Sequence, residues 1–127
     1  RQGAMSWLAV ALGGALGACA RFGLGVALTP LFGMSAAWAT FCINLLGSFC
    51  IGALTTVLVE QGAPESLRFF VVTGFLGAFT TYSAFSLDTL SLLQQGNYND
   101  AFLLAAATLS LCLLATFCGY QLTKSFF

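Results

Sequence analysis

Charge is what this sequence has least of. Lys and Arg together number four, Asp and Glu four, and histidine is absent from all 127 positions. A water-soluble domain carries roughly 25% charged residues, and the 6% found here cannot coat a polar surface. Lipid is therefore expected to be the solvent for most of the chain. A formal net charge of zero argues against nucleic acid as a partner, because phosphate binding needs clustered Lys and Arg. The missing histidine removes the usual zinc and haem ligands. Cys19, Cys42, Cys50, Cys112 and Cys118 include no C-x-x-C pair and all lie in apolar stretches, where cysteine behaves as a small hydrophobe. Reduced thiols are expected rather than a disulfide framework. No nucleophile–base pair or metal set is visible, so an enzyme is not expected.

What is abundant is apolar sequence, 59% of the chain. A helix crossing a ~30 Å hydrocarbon core needs roughly 20 apolar residues. Residues 6–28, 36–59, 69–93 and 101–122 qualify, within a single transmembrane domain covering 1–127. Thr29-Pro30 with Gly33 closes the first span; Glu60 to Glu65 and Gln94 to Asp100 separate the later ones. Arg1 to Ala4 precede Met5 and read as an expression remnant, and the first apolar stretch is expected to be retained as a span rather than cleaved. Connections this short place neighbouring helices antiparallel, with both termini on one side. Arg68 and Lys124 fall on that side and no basic residue falls opposite, which favours cytoplasmic termini. The bias is slight, and a chain so balanced can insert both ways and pair as an antiparallel homodimer. Gly13 and Gly17 form a G-x-x-x-G pair, and Gly47 and Gly52 continue the theme. Such residues allow close backbone approach, within one subunit or between two.

Polar groups inside the spans are functional candidates by default. Arg21 lies in the first span. Asn44 lies in the second, with Thr40 one turn before and Ser48 one turn after. The third span contains Thr73-Gly74-Phe75-Leu76-Gly77 and Thr80-Thr81-Tyr82-Ser83-Ala84-Phe85-Ser86, followed by Asp88. Clustered glycines and hydroxyls weaken a helix, and a helix broken at 77–80 in mid-membrane would need protein, water or an ion beside it. The other reading is a continuous helix whose Ser and Thr bond back to their own backbone. Thr108, Cys112 and Thr116 share one face of the fourth span. Thr40, Asn44 and Ser48 with Thr108 and Thr116 read as a track of neutral donors or as interhelical hydrogen bonds. Tyr82 and Phe85 share a face at i, i+3, as packing or as positive ring edges able to hold an anion weakly. Arg21 and Asp88 read as an ion pair or, for Arg21, as part of a vestibule.

The residues that carry a family likeness are Gly13-Gly14, Gly17, Arg21-Phe22, Asn44-Leu45-Leu46-Gly47, the two third-span segments just quoted, and Gly96-Asn97-Tyr98. In this order and spacing, across essentially the whole chain, they resemble the Fluc (CrcB) fluoride channels. The resemblance implies an all-α, antiparallel dual-topology homodimer in the plasma membrane, with two pores exporting fluoride passively. Carried over by position, Asn44 resembles the pore asparagine, Tyr82 and Phe85 the two aromatic box residues, and Thr40, Thr108, Cys112 and Thr116 the polar track. Gly77 and Thr80 match positions whose backbone carbonyls hold a structural sodium ion at the dimer centre. Tyr82 departs from the family's usual phenylalanine and Cys112 from its common serine. The rival class is a small four-helix multidrug/proton antiporter. It needs a membrane-embedded carboxylate in the first span, where this chain has Arg21 and no acid.

Overall fold

The computed structural model describes residues 3–127; Arg1 and Gln2 lie outside the described residues. All regular structure described is helical. Four helical runs are long and apolar enough to cross a membrane: Ala4–Phe32, Ala36–Glu60, Glu65–Gln94 and Tyr98–Lys124. The chain is thus a multi-pass membrane protein. The first run is α1, the second α2 and the fourth α6. The third is composite: α3 (Glu65–Arg68), a π-helical segment Phe69–Leu76, a short α4 (Gly77–Phe79) and α5 (Tyr82–Gln94).

The first helix runs further than its proline suggests. It passes Pro30 and ends at Phe32, where Gly33 takes the left-handed conformation at φ 63° that closes helices readily. Pro30 falls in the last turn, where a lost N–H breaks one bond and little helix follows to be kinked. Ser35 then caps α2, its hydroxyl accepting from the Trp38 N–H at 3.4 Å. At the far end of α2, Glu60 meets Lys124 of α6. The C-termini of the second and fourth spans therefore share one side, as antiparallel neighbours require.

Glycines bring the spans together inside the chain. A side chain at Gly13 would run into the Phe70 carbonyl, and one at Gly17 into the Phe75 carbonyl, so α1 lies directly on the π-helical segment. In the same way Gly52 of α2 sits on the Thr116 carbonyl, and Gly119 of α6 on the Phe49 carbonyl. The small-residue motif thus serves packing within one chain. The core so formed is thin: Ala9, Ala39, Ile43, Leu76, Phe79, Ala101 and Leu104 are its buried apolar residues. Only 11% to 28% of each span's hydrophobic window is buried, so most of the apolar surface faces outward.

Candidate functional site

The site is built where the third run leaves helical geometry. Thr80 (φ −86°, ψ 155°) and Thr81 (φ −151°, ψ 117°) are extended. Gly77, expected from the glycine spacing to sit in the weak point, is helical; the β-branched threonines depart instead. β-branched side chains are restricted in helices and fit extended backbone, and the Thr81 hydroxyl caps α5 by accepting from the Ala84 N–H at 3.2 Å.

Two neighbouring helices, α1 and α2, hold this interruption. Asn44, on α2 and only 8% exposed, receives the Thr81 N–H on Oδ1 at 2.8 Å and donates from Nδ2 to the Thr81 carbonyl at 3.0 Å. An N–H can only donate, so this pairing fixes which end of the amide faces it. Arg21, on α1, donates from Nε to the Ala78 carbonyl at 3.0 Å, a cation at the end of a helix, where carbonyls are unpaired. Gly47 lets Thr80 and Phe79 lie against α2, since any side chain there would strike the Thr80 methyl. In a continuous helix, the Thr81 and Ala84 N–H groups would bond to the Gly77 and Thr80 carbonyls. Here they go to Asn44 Oδ1 and Thr81 Oγ1, leaving both carbonyls as acceptors.

Two clefts flank Thr81. The first, about 280 Å³, lies between α2, α5 and α6 and is lined by Asn44, Ser48, Tyr82, Phe85, Thr108 and Cys112 together with Thr80, Thr81 and apolar neighbours. No lining residue is charged. The Tyr82 and Phe85 rings meet edge to face, with centroids 5.4 Å apart and planes at 63°. Tyr82 is 78% exposed. Thr108 Oγ1 is buried and has no hydrogen-bond partner. The second cleft, about 320 Å³, is lined by Arg21, Phe22, Thr29, Thr40, Thr81 and apolar residues of α1, α2 and α5.

The anticipated polar residues therefore divide. Asn44, Ser48, Tyr82, Phe85, Thr108 and Cys112 come together in one cleft, Thr40 lies in the other with Arg21, and Thr116 lies further along the α2–α6 groove. The Thr116 hydroxyl donates back to the Cys112 carbonyl at 3.2 Å. Arg21 and Asp88 do not pair within the chain. Lys124–Glu60 is the ion pair among the described residues, and Asp88 Oδ2 is buried without a partner. All five cysteines are unpaired. The sequence did not single out Thr81, the residue on which Asn44 acts, because its part is played by backbone atoms. Its one outward signal is a hydroxyl three residues before Ala84, in N-cap register.

Comparison with known proteins adds an identity to this geometry. The family model described as "CrcB-like protein, Camphor Resistance (CrcB)" matches residues 8–120. A Thermus thermophilus protein named "Fluoride-specific ion channel FluC" is 43% identical over 121 residues, covering 95% of this chain and 95% of its own. Proteins of the same name from Magnetococcus marinus and Aeromonas salmonicida are 45% and 41% identical. They cover 87% and 94% of this chain, and 90% and 97% of their own lengths. With a match to nearly every residue of its four spans, in a chain whose thin core, neutral cleft and interrupted third run have just been described, this protein belongs to the CrcB-like family.

Proposed function

We propose that the chain is one subunit of a fluoride-selective channel, letting fluoride leave the cytoplasm through the plasma membrane without pump or cofactor chemistry. The observation that carries this reading is the first cleft, which gathers neutral donors and ring edges from three helices and contains no charge. A full charge would hold a small anion too long, whereas conduction requires an ion to leave as easily as it enters. The positive edges of Phe85 and Tyr82, the hydroxyls of Ser48 and Thr108 and the free Nδ2 hydrogen of Asn44 suit fluoride, a strong hydrogen-bond acceptor. Thr108 Oγ1, buried without a partner, supports a polar occupant there, since an unmatched buried donor costs about 1–3 kcal/mol. Cys112 lines the same cleft, Thr40 and Thr116 extend the pathway to either side, Arg21 draws anions into the second cleft, and Asp88 serves a structural role.

One chain encloses neither cleft, and in this reading a second, antiparallel copy completes two pores. The exposure of Tyr82 and of most apolar surface supports that assembly, as does the slight basic bias. The interruption at Thr80–Thr81 is the mid-membrane break of the third helix, tolerated because its freed groups face protein and ion. The residues present fit a structural sodium ion: the Gly77 and Thr80 carbonyls, released from helical bonding, are oxygen donors of the kind hard cations take. From both copies they would hold the ion, whose positive charge would offset the opposed carbonyl dipoles.

The physiology follows from acid–base chemistry. Hydrogen fluoride crosses lipid as a neutral acid, dissociates in the less acidic cytoplasm and is trapped as the anion. A membrane potential negative inside drives that anion out with about 2.3 kcal/mol per charge per 100 mV. Purified protein in liposomes should release trapped fluoride, followed by a fluoride electrode, while retaining chloride. Folded protein that releases no fluoride contradicts the reading.

A further inference from the structure

Thr81 lines both clefts, so it stands where the two meet. Its N–H makes no helical hydrogen bond. Both polar atoms of the Thr81 backbone go to one side chain, Asn44, which is buried in the middle of α2. One hydrogen bond would let the strand pivot; two, made by the ends of one planar amide, fix its position and its rotation. The next residue, Tyr82, begins α5, so the same clamp determines where Tyr82 and Phe85 stand against Ser48 and Cys112 across the cleft. The other end of the interruption is held separately, by Arg21 on the Ala78 carbonyl. Asn44 Oδ1 and one Nδ2 hydrogen are engaged by Thr81, leaving a single N–H for anything passing.

We propose that Asn44 is the positioning residue for anion discrimination. By clamping the Thr81 backbone it fixes the width of the anion passage where the two clefts meet, and thereby excludes anions larger than fluoride. This rests on the channel reading above. An opening that selects by size needs a wall that does not yield, and the amide of Asn44 supplies the stiffness that helical bonds supply elsewhere in the span. A direct donor and a clamp differ in what their loss does. Losing a donor slows fluoride; losing a clamp admits chloride.

The test uses the full chain in liposomes, with Asn44→Ala and the milder Asn44→Ser, and with Ser48→Ala as the comparison. Hydrogen exchange at the Thr81 amide, read by mass spectrometry against α1 amides as a check on folding, reports the clamp independently of transport. Chloride and fluoride efflux give the permeability ratio. Both Asn44 variants should exchange the Thr81 amide on the order of tenfold faster than wild type and release chloride that wild type retains. Ser48→Ala should slow fluoride while Thr81 exchange and chloride exclusion stay at wild-type values. Unchanged Thr81 exchange in the Asn44 variants overturns the proposal. So does slowed fluoride with chloride still excluded, the signature of a direct donor. Failure of the channel reading is a separate result, absence of fluoride release by wild type, and it overturns the proposal as well.

Discussion

Phe85 and Tyr82 touch edge to face yet differ in what each would lose on substitution. Phe85 is half-buried and presents only carbon to the cleft, so its ring edge is its whole contribution; Tyr82 is mostly exposed and adds a hydroxyl. Phe85→Ile removes the edge, whereas Tyr82→Phe keeps it. Fluoride efflux should fall roughly tenfold or more for Phe85→Ile, the loss of about 1.4 kcal/mol of contact, and stay near wild type for Tyr82→Phe. Equal rates for the two would refute a contact role for the rings. At this scale the sequence was largely legible, because an amide, a hydroxyl or an aromatic pair inside a membrane span is conspicuous. Asn44, Ser48, Tyr82, Phe85, Thr108 and Cys112 could be picked out that way, and they do share a cleft. The partner of Asn44 was not legible. Nothing in the letters Thr80-Thr81 says that a backbone N–H will leave its helix for a side chain 37 positions earlier.

Glycine decides how the elements fit. Gly17 supports the approach of α1 to the π-helical segment, and an added Cβ would overlap the Phe75 carbonyl, part of a backbone that cannot rotate away. Gly23, six residues on in the same helix, has nothing near its missing side chain. Gly17→Ala should therefore destabilise the protein by about 1–3 kcal/mol, seen as a lower thermal midpoint in detergent. Gly23→Ala should be neutral or stabilising by up to about 1 kcal/mol, as in an open helix. Equal midpoints for the two would remove the packing argument. The positions of the four helical runs were readable from hydropathy and loop residues, to within a few residues at each end. The π-helical segment was not: Phe69 to Leu76 is apolar but for one threonine and one glycine, and a wider helix leaves no mark on such a pattern. Within the weak stretch 77–80 that the sequence marked, Gly77 stays helical while Thr80, and Thr81 just beyond it, extend. Glycine weakens a helix; here, the side chains waiting on α1 and α2 decide where it opens.

For the molecule as a whole, the scarcity of charge has two consequences. Orientation rests on Arg68 and Lys124, the latter held by Glu60, and in the proposed reading so slight a bias lets the chain insert both ways. A phosphatase active only outside the cytoplasm and a reporter fluorescent only inside it, each fused to the C-terminus, should then both give signal; signal from one alone contradicts dual insertion. The second consequence is a first cleft lined by no charged residue, which in the proposed reading separates a channel from the antiporter rival. The most direct measurement is electrical. With the protein in a planar bilayer, a tenfold fluoride gradient, chloride equal on both sides and pH uniform, the current should reverse about 59 mV from zero, the value for a monovalent ion permeating alone. A reversal near zero, or no fluoride current without a pH gradient, would contradict the account.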